Sequence, residues 1–582
     1  MQNPMRWAVG VLLLLVLAGA SYWLVSSLAK QPEPIQTGDA PKHPKLVVLV
    51  VFDQMRGDYP KKWEALYGDG GFKRLQKDGA SFTNCHYPYA YTLTAPGHAS
   101  LVTGTTPSKH GIIANEWLDR SIGGESVAST TPPPEEKKNG GGPYRLKAES
   151  VGDVLMRLLT GRVASLSIKE RSAVFLAALR ANLCYWFSSS SGNFVTSNYY
   201  RPAPHSWATK FNKGRMADQW LDKTWERFHP NLKYDDHTGP DDFAFEGNGY
   251  RQGQVFPHKL QLGNSKDTKA NKKNFYDAVT CSPMGNDLLL AFAKTAIESE
   301  KLGQTESVDL LCVSFSSNDL IGHAWGPDSH EVLDVTLRTD ALIKDFLTYL
   351  DEKVGKDNYY FALSADHGVS SMPEYAAKNG KKAGRVHPQI LTSQAEKFLN
   401  EKFLPEGKAA PWLIVPEKGS TGGPWIYLNE KTIAELKLKQ ADVERALADW
   451  LNTKPGIERA FTRTELMREE TKEQTELFRQ MQRSFHPACS GDVMVALKPY
   501  HMLTSTDYSK NPAKDPTYRA THGSPHADDT HVPLMVLGPR IVPGVRDGKV
   551  TPQAMASILA EALGVPAPKD ATYRLPEGLF KK

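Results

Sequence analysis

The strongest constraint on the fold of this chain is a set of apolar segments that each end close to an aspartate. Each segment has the length of one strand: Lys45–Phe52 before Asp53, Asp309–Phe315 before Asp319, and Tyr359–Ser364 before Asp366. Such continuous apolar runs are typical of strands buried on both faces of a parallel sheet. Because parallel strands end at one edge, where open α/β sheets bind their ligands, the three aspartates are predicted to lie together.

Helical patterns lie between these strands, for example over Asn286–Glu300 and Glu331–Leu350. The alternation predicts an α/β fold with a largely parallel central sheet and helices on both faces. Two polar stretches interrupt the pattern, at about residues 201–274 and 372–498, and we expect them to be two large insertions. A last apolar strand is predicted over His531–Leu537.

The N-terminus has the features of an export element. Residues 7–29 carry no charge, follow Arg6, and are long enough to span a bilayer. We expect residues 1–30 to be either a cleaved signal peptide or an uncleaved membrane anchor, followed by a linker at 31–44. The remainder, 45–582, is predicted to be one catalytic domain that is periplasmic or extracellular, since Arg6 stays on the inner side.

The composition gives no support for nucleic acid binding or for a cysteine metal site. The net charge of +5, from 70 basic and 65 acidic residues, gives no reason to expect nucleic acid binding. Five cysteines are scattered without the spacing of a metal site, so most are predicted to be small buried residues.

The candidate metal ligands are aspartates and histidines. They are Asp53, Asp319 with His323, Asp366 with His367, and a loop that contains His522, His526 and His531. Mixed sets of carboxylate and imidazole ligands suit zinc, and two adjacent sets suit a two-metal site for phosphoryl transfer.

Between the first two of these positions lies the segment Thr92-Leu93-Thr94-Ala95-Pro96-Gly97-His98, and Asn115 follows Thr94 by 21 residues. This pattern resembles the nucleophile segment of the alkaline phosphatase superfamily. The resemblance is to the branch that uses threonine, which contains nucleotide pyrophosphatase/phosphodiesterases and phosphate-irrepressible bacterial alkaline phosphatases. It implies that Thr94 is a metal-bound nucleophile and that Asn115 contacts the phosphate.

Similar motifs at Val51–Tyr59, Ser314–His323 and Thr521–Ser524 extend the resemblance over about residues 45–537. It implies an alkaline-phosphatase-like core with two zinc ions. The implied ligands are Asp319, His323 and His522 for one ion, and Asp53, Asp366 and His367, with Thr94 beside them, for the other. Zinc would lower the pKa of the threonine hydroxyl for attack on phosphorus. The Thr-His-Gly context favours His522 as the third histidine, with His531 and His526 as alternatives.

Lys169 and Arg171 decide the subfamily. If Val163–Arg171 is a strand, alternation puts both cations on one face, where strand edges also carry cations for solubility. The phosphate-irrepressible alkaline phosphatases that this chain resembles have a Lys-x-Arg pair there that contacts the phosphoryl oxygens, and the diesterase branch lacks it. Ala95 also stands where diesterases commonly have a bulky aromatic residue.

The resemblance therefore implies an exported alkaline phosphatase that hydrolyses phosphate monoesters through a phosphothreonine intermediate. The alternative is a phosphodiesterase or nucleotide pyrophosphatase on the same fold. A sulfatase would need a Cys or Ser within a Cys/Ser-x-Pro-x-Arg segment, which Thr94 to His98 does not provide. A catalytically inactive binding module would be expected to have lost a ligand or the nucleophile. The expected partners are small-molecule phosphate esters, and a membrane only through the N-terminal segment.

Overall fold

The computed structural model describes residues 44–416, 423–503 and 518–581. These residues belong to one compact unit, Pro44–Lys582. The predicted export element and the linker before residue 44 lie outside the described residues. Within the described ranges, no helix is both long and apolar enough to cross a membrane.

The described residues form eighteen strands, nine of which make the main sheet. In chain order the strands are β1 Leu46–Phe52, β2 Ala80–Phe82, β3 Glu116–Asp119, β4 Glu125–Ala128, β5 Val163–Ser167, β6 Leu183–Ser188, β7 Asn193–Val195, β8 Thr224–Trp225, β9 His258–Lys259, β10 Asp309–Phe315, β11 Tyr359–Ala365, β12 Gly384–Val386, β13 Trp425–Ile426, β14 Ile457–Thr462, β15 Val493–Leu497, β16 His501–Leu503, β17 Leu534–Leu537 and β18 Gly544–Arg546. The order across the main sheet is β18-β2-β17-β11-β1-β10-β5-β6-β7.

The five strands β11-β1-β10-β5-β6 at the centre of the main sheet run parallel. Every residue of β1, β10 and β11 is buried, as their continuous apolar sequences predict. Phe52, the last residue of β1, lies opposite Phe315 and Ala365 at the ends of its two neighbours. The predicted α/β fold with a largely parallel central sheet is therefore confirmed.

Helices surround this sheet. The α-helices of the described residues are Tyr59–Lys62, Phe72–Asp78, Thr94–Thr103, Pro107–His110, Val151–Leu158, Glu170–Ala177, Ser206–Lys213, Thr268–Thr280, Pro283–Glu300, Ser317–Trp325, His330–Leu350, Pro373–Lys378, Pro388–Phe403, Glu430–Glu435, Gln440–Leu451, Arg463–Leu466, Glu476–Ser484, Ala527–Thr530 and Ala554–Leu563. The two helices expected between the buried strands start slightly earlier than predicted. Pro283 occupies the first turn of one, and the side chain of Ser329 caps the other.

The two polar stretches expected as insertions have local structure of their own. The first contains helix Ser206–Lys213 and the two-stranded sheet β8-β9. The second contains the three-stranded sheet β13-β15-β14 and an apolar cluster that is separate from the main core. Its Trp425 packs edge-on against Tyr91, with ring centroids 4.9 Å apart. The second stretch thus contacts the segment that leads to Thr94.

The strand predicted to reach Arg171 is shorter than expected. β5 ends at Ser167, Lys169 precedes helix Glu170–Ala177, and Arg171 lies in the first turn of that helix. The strand prediction was wrong because the buried residues Ser172–Ala177 pack as a helix against β5 and against helix Thr94–Thr103. The alternation of two charged residues gives no information about this packing. In the structure, both cations lie at the start of a helix and not in the sheet.

The last predicted strand also begins later, at Leu534 instead of His531. His531 instead ends the short helix Ala527–Thr530, whose backbone accepts its N–H. All five cysteines are unpaired, and four of them are buried, as predicted for small core residues.

Helix Thr94–Thr103 lies unusually close to the loop after β11 because Gly97 has no side chain. A Cβ at Gly97 would lie 2.3 Å from the backbone oxygen of Asp366 and 2.7 Å from its Cβ. Helix propensity alone favours alanine over glycine by about 1 kcal/mol. The steric contact opposes this gain, because overpacking against backbone costs about 1–3 kcal/mol or more.

We therefore expect Gly97→Ala to lower the free energy of unfolding, against the prediction from helix propensity. Thermal or denaturant unfolding of the two proteins measures the difference. Gly548→Ala is the matched control, because a Cβ at the exposed Gly548 meets nothing within 4 Å, and its stability should stay within about 0.5 kcal/mol of wild type. Equal or higher stability of Gly97→Ala would contradict the proposed close approach.

Candidate active site

Five of the predicted ligand residues lie at one edge of the main sheet because their strands end in register. Asp53 directly follows β1, and Asp366 with His367 directly follows β11. Asp319 and His323 lie one turn apart in helix Ser317–Trp325, which begins just after β10. All five residues are buried, so the carboxyl end of the sheet holds a dense set of acids and imidazoles.

These five residues, together with His98 and His522, form three groups in the described part of the chain. In each group the candidate ligand atoms lie within 4.8 Å of one another. The groups are Asp319 with His323 and His522, Asp53 with Asp319 and His367, and Asp53 with His98 and Asp366. In the first, Asp319 Oδ1 lies 3.2 Å from His323 Nε2 and 3.5 Å from His522 Nε2. In the second, His367 Nε2 lies 3.6 Å from Asp53 Oδ1.

Three of the histidines are oriented by the backbone. Their Nδ1 atoms lie 2.7–2.9 Å from carbonyl oxygens. The pairs are His323 with Ala520, His367 with Gly368, and His522 with Thr92. An imidazole that donates through Nδ1 keeps its lone pair on Nε2, and each Nε2 here faces a carboxylate of the groups. Hydrogen bonds of this kind orient histidines that bind metals.

His98, which belongs to the third group, and the loop histidines His526 and His531 have different partners. His98 uses both ring nitrogens, with Nδ1 2.8 Å from the Thr94 oxygen and Nε2 2.8 Å from Ser314 Oγ. His526 Nε2 lies 2.8 Å from the Leu497 oxygen, and His531 Nε2 lies 2.9 Å from the Thr83 oxygen. Of His522, His526 and His531, the structure brings only His522 into one of the acid-histidine groups of the described residues.

Several buried polar atoms at this edge have no hydrogen-bond partner among the described residues. They are Asp53 Oδ1, Asp366 Oδ2, His367 Nε2 and Thr94 Oγ1. A buried polar group without a partner normally costs free energy, so such groups are rare and call for an explanation. All four atoms can donate an electron pair to a cation. The residues present therefore fit a divalent metal ion.

The protonation properties of the acids and histidines at this edge also suit a bound cation. Burial and the charge of Asp366 raise the pKa of Asp53 to about 7. Burial, together with the neighbouring His522, lowers the pKa of His367 to about 3, so this ring is neutral and able to act as a ligand. Lys169 is the cation that contacts the acids, with Nζ 2.9 Å from Asp53 Oδ2 and also paired with Asp319.

Thr94 begins helix Thr94–Thr103 and is almost fully buried. Its carbonyl oxygen is bonded to His98, whose Nδ1 also lies 3.2 Å from Asp366 Oδ2. Asn115 Oδ1 accepts the backbone N–H of Ala95 at 2.9 Å. This bond fixes the Asn115 amide beside the start of the helix, with its NH₂ group available to another acceptor.

Arg171 lies two residues after Lys169, in the first turn of helix Glu170–Ala177. Its Nε atom is buried and has no hydrogen-bond partner among the described residues. The structure thus brings two cations, one threonine, one asparagine and the acid-histidine groups to the same end of the sheet.

Gln54 contacts this set and was not identified from the sequence. Gln54 follows Asp53 and donates hydrogen bonds to Asp366 Oδ1 and Asp319 Oδ1. A glutamine carries no signal of a metal or phosphate site in a single sequence. Its position directly after a ligand-type aspartate at the end of a buried strand was the available hint.

Comparison with known proteins identifies relatives that are phosphoester hydrolases. The family model "Type I phosphodiesterase / nucleotide pyrophosphatase" matches residues 47–525. Alkaline phosphatase PhoV of Synechococcus elongatus is 31% identical over 549 residues, which cover 92% of this chain and 93% of PhoV. Alkaline phosphatase PafA of Elizabethkingia meningoseptica is 29% identical over 547 residues, 92% of each chain. A Myroides odoratus relative named calcium-transporting ATPase is 32% identical over 531 residues, 89% of this chain and 91% of its own.

Solved structures agree with the sequence relatives. The crystal structure of wild-type alkaline phosphatase PafA matches with a TM-score of 0.80 and 28% identity, covering 93% of this chain and 100% of that chain. A PafA mutant with a threonine, an asparagine, a lysine and an arginine replaced matches with a TM-score of 0.81 and 27% identity over the same shares. This chain therefore belongs to the type I phosphodiesterase / nucleotide pyrophosphatase family of the alkaline phosphatase superfamily.

Proposed function

We propose that this protein is an exported alkaline phosphatase that binds two zinc ions and hydrolyses phosphate monoesters through a phosphothreonine at Thr94. The phosphomonoester hydrolase activity is supported by the alkaline phosphatases PhoV and PafA and by the structural match to PafA. The observation that carries the proposal is the set of unpartnered buried atoms on Asp53, Asp366, His367 and Thr94. These atoms are three ligand-type atoms and one hydroxyl, which are the groups that the proposed chemistry needs.

The ion ligands divide into two sets in this proposal. Asp319, His323 and His522 hold one zinc ion, and Asp53, Asp366 and His367 hold the other, with Thr94 beside the second. The first set is supported by the group in which the ligand atoms of Asp319, His323 and His522 lie within 4.8 Å of one another. The second is supported by His367 Nε2, which lies 3.6 Å from Asp53 Oδ1 and 3.4 Å from Asp366 Oδ2. In both sets the histidine Nδ1 atoms bond to backbone oxygens, which leaves the Nε2 lone pairs facing the carboxylates. Bound zinc supplies Lewis-acid stabilisation of the attacking and leaving oxygens.

The chain's own residues carry out the remaining steps. Thr94 Oγ forms a bond to phosphorus while the bond from phosphorus to the leaving alcohol oxygen breaks, and water later displaces Thr94 from the phosphothreonine. The start of helix Thr94–Thr103 favours the negative charge of the phosphate. Asn115, Lys169 and Arg171 bind the phosphoryl oxygens. The replaced residues of the PafA mutant are of the same four types as Thr94, Asn115, Lys169 and Arg171.

Export rests on the N-terminal sequence, with its uncharged residues 7–29 after Arg6. The substrates are small-molecule phosphate esters. The residues at the sheet edge are those of a phosphoester hydrolase and suggest no ion transport.

The second candidate is a phosphodiesterase or nucleotide pyrophosphatase, which the description of the matching family model favours. Two features favour the monoesterase over it. Lys169 and Arg171 add two positive charges at the site, which suit a dianionic monoester. Ala95, directly after Thr94, offers no aromatic surface for a second substituent.

Metal dependence is the first test of the proposal. Purified protein should contain two zinc ions by elemental analysis, and exhaustive chelation should abolish hydrolysis of an aryl phosphate monoester. Adding zinc back should restore the activity, since the ligands remain in place. Full activity in the chelated protein would refute the proposed site.

The nucleophile is tested by intact mass after a low-pH quench during turnover. Wild type should show a phosphoryl adduct, and Thr94→Ala should lose the adduct and most of the turnover. Thr94→Ser is the matched variant, because it keeps a hydroxyl of the same class and should keep measurable activity. An adduct on another residue, or an unimpaired Thr94→Ala enzyme, would contradict the assignment.

The two cations separate monoester from diester hydrolysis. Charge-assisted contacts contribute roughly 1.5–3 kcal/mol each, so Lys169→Ala/Arg171→Ala should lower monoester kcat/KM by about 10²–10⁴. Diester kcat/KM should fall much less, because a diester carries one negative charge fewer. Asn115→Ala is the control, since its donor contacts an oxygen present in both substrates and its loss should reduce both activities. Equal losses in the double variant, or a wild-type preference for diesters, would favour the second candidate.

A further inference from the structure

Gln54 joins the two proposed ligand sets through its backbone and its side chain, beside Lys169, which pairs with Asp53 of one set and Asp319 of the other. Its backbone N–H donates to Asp366 Oδ1 at 3.1 Å, and its side-chain Nε2 donates to Asp319 Oδ1 at 2.9 Å. Asp366 belongs to one set and Asp319 to the other. Gln54 is only 3% exposed, so both bonds form away from water.

The backbone at Gln54 has an uncommon conformation. Its φ of 66° lies in the left-handed region, which residues other than glycine, asparagine and aspartate rarely adopt. This turn directly after β1 lets Asp53 stay at the end of the strand while the N–H of the next residue meets Asp366. Strained conformations of this kind persist where the surrounding structure holds them, and they often occur at functional sites.

The helix opposite makes room for the side chain of Gln54. Gly322 lies between Asp319 and His323 in helix Ser317–Trp325. A Cβ at Gly322 would lie 1.7 Å from Gln54 Oε1. Any larger residue at 322 would therefore push the glutamine amide away from the helix that carries two of the ligands.

The chemistry of the amide suits the orientation of a ligand. Asp319 Oδ1, which accepts from Gln54, is also the oxygen nearest to His323 and His522, at 3.2 and 3.5 Å. A neutral N–H donor fixes the rotation of the carboxylate without adding charge to the site. Lys169 pairs with the other oxygen of Asp319. Hydrogen bonds to ligating carboxylates commonly change metal affinity by about 10–100-fold.

We propose that Gln54 is a positioning residue that fixes the two ion sites relative to each other, by holding Asp319 through its side chain and Asp366 through its backbone. This inference rests on the proposed two-ion function. The backbone N–H is present in every variant at position 54 except proline, whereas the side-chain bond can be removed. Removal should therefore weaken mainly the ion held by Asp319, His323 and His522.

The test compares Gln54→Met with wild type. Methionine has a similar length but cannot donate to Asp319. Gln252→Met is the matched control, because Gln252 is equally buried at 3% exposed and donates its side-chain amide to the backbone oxygens of Ala278 and Cys281. Zinc dissociation constants are measured by competition with a chromophoric chelator, and cobalt-substituted proteins are compared by visible absorption. Thermal unfolding of the metal-free proteins reports stability separately.

We expect Gln54→Met to bind one zinc ion about 10–100-fold more weakly than wild type and to bind the other with a smaller change. Its cobalt spectrum should change for one site, and kcat should fall more than KM rises. Gln252→Met should lose thermal stability but keep both zinc affinities. If Gln54→Met is poorly folded, Gln54→Gly replaces it, because glycine accepts the left-handed conformation and keeps the backbone N–H.

The outcomes separate this inference from the function on which it rests. Wild type that binds two zinc ions, with the same two affinities in the Gln54 variants, would overturn the positioning role alone. Equal weakening in the Gln252 control would do the same, because a general loss of stability would then explain the result. Wild type that binds no pair of ions would overturn the proposed function and this inference with it.

Discussion

The parallel pairing of β1 with β10 and β11 is the constraint on which the site depends. Phe52 lies opposite both Phe315 and Ala365, so the three strands reach their last residues at the same level. The residues that follow carry carboxylates into a buried position although like charges repel each other. Backbone hydrogen bonds and the burial of three apolar strands hold them there, and a shift in register would move an acid away from the site.

This arrangement makes the site electrostatically incomplete without a bound cation. Lys169 pairs with Asp53 and Asp319. Atoms of Asp53, Asp366 and His367 still lack a partner in the described residues. The repulsion between these groups lowers the stability of the folded protein, and a bound cation would remove that repulsion. Ion binding should therefore increase the free energy of unfolding.

The sequence predicted the sheet well, and it located aspartates and histidines that lie at the edge of the sheet, because both features depend on local patterns. Each buried strand was visible as a short apolar run, and an aspartate after such a run is easy to find. The start of helix Glu170–Ala177 was not predicted, because the packing of Ser172–Ala177 on neighbouring elements decides it. Side-chain chemistry could not decide which of three histidines joins the acids, because all three are imidazoles. Their different carbonyl partners are present only in the folded chain, for His522, His526 and His531. Gln54 has significance only through contacts with residues about 265 and 312 positions away.

The hydrogen bond between His522 and the Thr92 oxygen joins the two ends of the catalytic core, 430 residues apart in sequence. During synthesis, a ribosome would release Asp53 and Thr94 long before the loop that contains His522. A growing chain would therefore hold acids and a hydroxyl but not the last imidazole until most of the core had emerged. The group of Asp319, His323 and His522 can therefore form only after nearly the whole core has been synthesised.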